Sequence, residues 1–222
     1  MKKLTLLVVF GLLFTVGLNV SPKVAHSQST SKGQIMFILD ASSSMLAKDG
    51  TSTTRIDKAK SALSKALDSI PSDTEVGLRV YGSKVPDTNK SAGCQDTQLV
   101  AAPAANNATK VKSAVANIQA KGWTLMGKSL QEVQKDFTGD GPKTVILLSD
   151  GIDTCSPPSA CEVAKNLSLN GVKIKVDTLG LLVDSNAKAQ LGCIASGSGG
   201  DYFDINNIDK LQSTLETITK KE

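Results

Sequence analysis

Two hydrophobic rhythms alternate along this chain. Continuous apolar runs at Gln34–Leu39, Val76–Tyr81, Lys143–Leu148 and Val172–Leu179 read as strands buried on both faces. Between them, apolar residues recur three and four positions apart. From Thr54 the series Ile56, Ala59, Leu63, Ala66, Leu67 and Ile70 predicts a helix, and Pro71 ends it. Further helices are expected over 107–120, 126–136, 159–169 and 185–195, with a last amphipathic one carrying Ile208, Leu211, Leu215 and Ile218. Thr97–Val100 is a short edge-strand candidate followed by an Ala/Asn/Pro linker over 101–107, and Tyr202-Phe203 is a short late strand. Residues 83–95 read as a surface loop. Strands alternating with helices of this length predict an α/β fold, a doubly wound and mostly parallel central sheet with helices on both faces. One short edge strand is expected to run antiparallel.

The first residues depart from this pattern. Lys2 and Lys3 precede an apolar run from Leu4 to about Val20, and Ala25-His26-Ser27 offers small residues for a peptidase. Residues 1–27 therefore read as a cleaved secretory signal peptide, 28–33 as a polar tail, 34–219 as one domain and 220–222 as a C-terminal tail. An uncleaved membrane anchor is the rival reading, but the run is short for a span and is interrupted by Gly11 and Gly17. No Cys follows the run, so a lipoprotein anchor is not indicated. The expected mature domain is periplasmic or secreted, with no membrane attachment.

Export changes the meaning of the charge. Lys2, Lys3 and Lys23 leave with the signal, taking the formal charge from +4 to +1. A near-neutral domain with 4% aromatic residues, Phe10 and Phe14 of them lost with the signal, supplies neither the field nor the stacking platforms of a nucleic-acid binder. The one histidine, His26, sits at the cleavage site. Ser-His-Asp catalysis, Cys-His catalysis and His-based zinc sites are therefore excluded from the mature chain.

Cys94, Cys155, Cys161 and Cys193 make an even set, which in an exported chain predicts two disulfides. Three pairings are open. Cys155 and Cys161 flank a Ser156-Pro157-Pro158 turn and are the expected partners, leaving Cys94 with Cys193. A four-cysteine zinc site lacks any Cys-x-x-Cys pair.

Candidate chemistry gathers at strand ends. Asp40-Ala41-Ser42-Ser43-Ser44 follows the first strand directly, so one carboxylate and two hydroxyls reach the carboxyl edge of the sheet, where open α/β sheets bind ligands. Such hard oxygen donors suit Mg²⁺ or a similar divalent ion. Thr124, in Gly122-Trp123-Thr124-Leu125-Met126-Gly127, enters a helix, and Asp150, in Leu148-Ser149-Asp150-Gly151, ends a central strand. Together these three pieces resemble the metal-ion-dependent adhesion site of von Willebrand factor type A domains, over about residues 33–219. Asp40–Met45, Arg55-Ile56, Tyr81-Gly82, Ser149–Asp153 with Cys155, and Gly199–Asp204 look like the exported bacterial members.

The resemblance implies a Rossmann-like fold and a role for each residue. Ser42 and Ser44 would bind the ion through their hydroxyls, Thr124 would do so in the ligand-engaged state, and Asp40 and Asp150 would act mainly through bridging waters. The ion would be Mg²⁺, with Mn²⁺ or Ca²⁺ as substitutes, and an unidentified protein partner's Glu or Asp would complete its coordination. Residues 206–219 would form the last helix, the element that moves in family domains that switch. The implied function is a non-enzymatic, divalent-cation-dependent protein-binding module. A scaffold subunit with a structural ion is the alternative. A Mg²⁺-dependent hydrolase is disfavoured, because the chain lacks Asp-x-Asp at the first strand and a Gly-rich phosphate loop. Around the site, Trp123 is expected to pack over the helix start, Asp153 to serve as a turn or cap residue, and Lys84 and Lys90 to be solvated. Asn107-Ala108-Thr109 matches a glycosylation sequon.

Overall fold

The computed structural model describes residues 33–221 apart from 49, 140 and 170–173. The expected signal peptide and all but the last residue of the polar tail lie outside the described residues.

Six strands form one sheet: β1 (Gln34–Asp40), β2 (Glu75–Tyr81), β3 (Thr97–Ala104), β4 (Lys143–Ser149), β5 (Ile174–Leu181) and β6 (Tyr202–Ile205), in the order β3-β2-β1-β4-β5-β6. Every neighbouring pair is parallel except β2 with β3. The helices are α1 (Arg55–Ala66), the single turn α2 (Lys90–Gly93), α3 (Ala108–Ala116), α4 (Met126–Val133), α5 (Ala160–Leu169), α6 (Ser185–Ser198) and α7 (Leu211–Thr219). This is the expected doubly wound α/β architecture.

β1 lies between β2 and β4, and all seven of its residues are buried. Its side chains alternate between two cores, as a strand period of two requires. Ile35, Phe37 and Leu39 meet Leu63 of α1, Val111 and Val115 of α3, and Leu215 of α7. Met36 and Ile38 meet Leu130 of α4, Val163 of α5 and Ile194 of α6. Each fully buried Leu, Ile or Phe contributes about 1.5–3 kcal/mol relative to exposure, so the continuous apolar run is what places this strand at the centre. Arg79, on β2, is buried among these side chains. Its Nε and Nη2 each donate to Asp136 at 2.7 Å, and Nη1 donates to Thr97 Oγ1 at 3.1 Å.

The structure departs from the sequence expectations in several places. β3 runs through Ala101-Ala102-Pro103-Ala104, where a linker was expected. Alanine carries little strand preference, and Pro103 is tolerated because β3 is an edge. Gly77 allows the close approach: a Cβ there would lie 2.9 Å from Pro103 N. β5 continues to Leu181, and α6 continues to Ser198, where Gly199 closes it at φ 82°. The last helix does not begin at 206. A 3₁₀ turn, Ile208–Lys210, precedes α7, and Asn207 Oδ1 accepts from Asp209 N at 3.0 Å. The Asn107 sequon is not open to modification, since Asn107 is buried and its Nδ2 donates to Val76 O at 2.7 Å and Ala102 O at 2.9 Å.

The expected disulfides, Cys155–Cys161 and Cys94–Cys193, do not form. Cys94 is bonded to Cys155, with Cα atoms 5.3 Å apart, and Cys161 to Cys193, with Cα atoms 5.5 Å apart. Cys161 lies in the first turn of α5, and α5 packs directly on α6, where Cys193 sits. A Cβ on Gly197 of α6 would lie 3.0 Å from Lys165 Cγ of α5. Cys155 is left on the loop after β4, against the β2–β3 loop that holds Cys94.

Candidate metal site

Asp40 ends the central strand and is fully buried. Its Oδ1 accepts from Ser42 N at 2.7 Å and its Oδ2 from Ser149 Oγ, at the end of β4, at 2.6 Å. Burial, then the nearby charge of Asp150, pushes the Asp40 carboxyl up from 3.8 to about 6, against the lowering pull of those two hydrogen bonds.

After Asp40 the chain turns sharply. Ser42 opens a 3₁₀ turn, Ser43–Leu46, and its carbonyl accepts from Met45 N at 3.1 Å. That turn brings Ser42 Oγ within 3.0 Å of Ser44 Oγ, and Ser44 Oγ donates to Asp150 Oδ1 at 2.6 Å. Four of the five expected donors thus form one hydrogen-bonded chain, Asp40–Ser42–Ser44–Asp150. Thr124 comes to the same edge through backbone. Gly122 bridges Ser42 in parallel fashion, and Gly122 O accepts from Ser43 N at 2.9 Å. Thr124 itself is buried.

Three residues of the neighbourhood carry roles that the sequence reading did not assign. Arg55, the first residue of α1, donates from Nη1 to Asp150 Oδ2 at 2.8 Å. A cation at a helix N-terminus opposes the helix dipole, and that misfit was the available signal. Ser149 orients Asp40. Thr154 holds Thr124: its amide donates to Thr124 O at 3.0 Å and its hydroxyl accepts from Thr124 N at 3.2 Å. Asp153 does cap a helix, as expected, since its Oδ2 accepts from Gly127 N at 2.7 Å and its Oδ1 from Cys155 N at 2.8 Å.

Trp123 packs against a second element, α2. Its indole lies on α2, so close that a Cβ on Gly93 would meet Trp123 Cδ1 at 2.4 Å. Lys90 is not simply solvated, because its Nζ sits 4.8 Å from the centre of that ring, a cation–π distance.

The donor set fits a small hard cation. Octahedral Mg²⁺ with oxygens at about 2.1 Å has ligand–ligand edges of about 3.0 Å, the separation of the Ser42 and Ser44 hydroxyls. Among the described residues no three His, Cys, Asp or Glu side chains cluster as ligands, so hydroxyls must carry much of any coordination here. Three buried side-chain polar atoms among the described residues lack a hydrogen-bond partner: Arg55 Nε, Tyr81 Oη and Trp123 Nε1. All three surround this edge. Arg55 holds Asp150, Tyr81 is the strand partner of Asp40, and Trp123 precedes Thr124.

Known proteins share this fold. The sequence profile of the von Willebrand factor type A domain matches residues 34–217. An uncharacterized Bacillus subtilis protein, YwmC, is 32% identical, with 96% of this chain and 98% of the relative covered. A second from the same organism, YwmD, is 28% identical over 100% of this chain and 99% of the relative. Among solved structures, an aerotolerance-related membrane protein from Bacteroides fragilis superposes with a TM-score of 0.67 at 22% identity, covering 85% of this chain and 99% of that one. The pilus adhesin SpaC from Lactobacillus rhamnosus GG superposes at 0.71 and 17% identity, covering 87% of this chain and 31% of that one. At these identities the two structures speak for the fold alone.

Proposed function

The chain belongs to the von Willebrand factor type A family, and from that premise we propose that it is an exported, non-enzymatic protein-binding module that captures a partner's acidic side chain through a divalent cation. The observation that carries this reading is the hydrogen-bonded chain Asp40–Ser42–Ser44–Asp150 at the carboxyl edge of the central strands. Ser42, Ser44 and Thr124 would hold the ion by their hydroxyls, with Asp40 and Asp150 behind them. Mg²⁺, or Mn²⁺ in its place, supplies there an electrophilic centre that a Glu or Asp carboxylate completes.

The protein's part is to keep the donors in place. Ser149 and the Ser42 amide fix Asp40. The 3₁₀ turn sets the spacing of the two serines, and Thr154 fixes the backbone of Thr124. Neutral hydroxyl donors remove little of the ion's charge, which favours an anionic ligand over a neutral one. Export is supported by the two disulfides. No helix among the described residues is long and apolar enough to cross a membrane.

The test has two stages. The oxidised domain, residues 28–222, is titrated calorimetrically with Mg²⁺ and Mn²⁺ beside Asp40→Ala. Saturable binding in the wild type, lost in the variant, is expected. The immobilised domain is then challenged with surface proteins of its own host in Mg²⁺ or in chelator. Capture that survives both chelation and Asp40→Ala would sink the proposal in favour of a scaffold whose partner surface lies elsewhere.

A further inference from the structure

Arg55 is placed at a cost. It is a cation at a helix N-terminus, where the dipole disfavours it. Its Nε is buried without a hydrogen-bond partner, a loss folding does not accept without compensation. The preceding loop is nevertheless built to hold it there. Arg55 N donates to Ala47 O at 2.9 Å, Lys48 and Thr54 form an antiparallel bridge, and Thr54 Oγ1 caps α1 by accepting from Asp57 N at 3.3 Å. The guanidinium consequently meets Asp150, whose side chain is fully buried.

The two oxygens of Asp150 are therefore divided. Oδ1 takes the hydroxyl of Ser44 and faces the candidate ion site, while Oδ2 takes Arg55 Nη1 on the other side. Two carboxylates, Asp40 and Asp150, would by themselves neutralise a divalent ion completely. With a permanent guanidinium on one of them, the same group of charges keeps one positive unit. In a buried setting that unit is weakly screened.

We propose that Arg55 is a built-in counter-cation of the ion site: it aims Asp150 at Ser44, stands in for part of the ion's charge when the ion is away, and keeps the ion-loaded site positive so that it selects an acidic ligand. The inference rests on the ion-binding reading given above. Its consequence is a trade. The domain holds its ion less tightly than its carboxylates allow, and it gains attraction for a partner's carboxylate. Arg55 is thus a positioning and charge-setting residue rather than an ion ligand.

The experiment compares wild type, Arg55→Gln and Arg55→Lys in calorimetric titrations with Mg²⁺ and Mn²⁺ at low ionic strength, and in thermal unfolding without added metal. Removing a unit charge from beside a divalent ion should tighten binding on the order of tenfold or more in Arg55→Gln. The ion-free Tm of that variant should fall, because Asp40 and Asp150 then repel without a neutralising neighbour. Arg55→Lys keeps the charge and should stay within about threefold of wild type for both ions. A glutamine variant that binds Mg²⁺ equally or more weakly, while the wild type binds, overturns the inference and leaves the ion-binding reading standing. Absence of binding in the wild type overturns both. If Arg55→Gln does not fold, Arg55→Lys decides: preserved affinity supports charge setting, and a change of roughly tenfold or more overturns it.

Discussion

Thr154 and Thr124 close a reciprocal pair of hydrogen bonds, Thr154 N donating to Thr124 O and Thr124 N to Thr154 Oγ1, and the residue after Thr154 is Cys155, bonded to Cys94. The Gly122-Trp123-Thr124 segment is thereby clasped between two loops. One is the β2–β3 loop, on which Trp123 rests at Gly93. The other is the loop after β4, which carries Asp150. Replacing both Cys94 and Cys155 by Ser should loosen Thr124 and weaken Mg²⁺ binding by roughly tenfold, besides costing about 2–4 kcal/mol of stability. Replacing Cys161 and Cys193 should cost similar stability and leave Mg²⁺ affinity within about twofold. Calorimetric titration and urea unfolding of the two double variants check this, and equal affinity losses in both would refute the clasp.

Asp40 would make the proposed ion binding proton-linked. Its carboxyl is pushed up from 3.8 to about 6, so between those values the folded domain holds a proton that the unfolded chain releases. In the ion-free domain this group's stabilisation is present below the unfolded value and is lost as the pH rises through the folded one. A bound cation requires the carboxylate, so Mg²⁺ affinity should climb through this window and flatten above it. Titrations at about pH 5 and about pH 7.5 should differ by roughly tenfold. A pH-independent affinity would show that the Asp40 charge plays no part.

Arg79 and Asp136 form a buried, two-pronged ion pair between β2 and the turn that follows α4. Removing one partner strands the other charge in the core. Asp136→Ala should cost about 3–5 kcal/mol in urea unfolding, with Mg²⁺ affinity unchanged once the protein is folded. A loss below about 1 kcal/mol would mean that water reaches Arg79.

Gly93→Ala places a methyl group 2.4 Å from Trp123 Cδ1, so the indole must move. Overpacking of this kind costs about 1–3 kcal/mol. Because Trp123 is the single tryptophan, its fluorescence reports the shift directly. An unchanged emission maximum with unchanged stability would contradict the packing of α2 on this ring.

Sequence by itself determined the alternation of strands and helices and the emergence of Asp40, Ser42, Ser44 and Asp150 at one sheet edge, to which only the family resemblance added Thr124. Both follow from short-range rules. Periodicity reports which faces are buried, and residues just after a parallel strand must emerge at its carboxyl edge. What the chain did not disclose depends on which elements become neighbours. Cys155 and Cys161 are close in sequence, yet Cys161 faces α6 and Cys155 faces the β2–β3 loop, so each bonds elsewhere. Arg55 stands 95 positions from Asp150, and only the packing of α1 beside the end of β4 joins them. The strand character of Ala101–Ala104 came from pairing with Val76 and Leu78 of β2 on either side of Gly77, because alanine's own preference is too weak to declare it. The donors were legible because their placement is local, whereas the disulfides and the charge beside Asp150 were decided by tertiary contacts that no local pattern encodes.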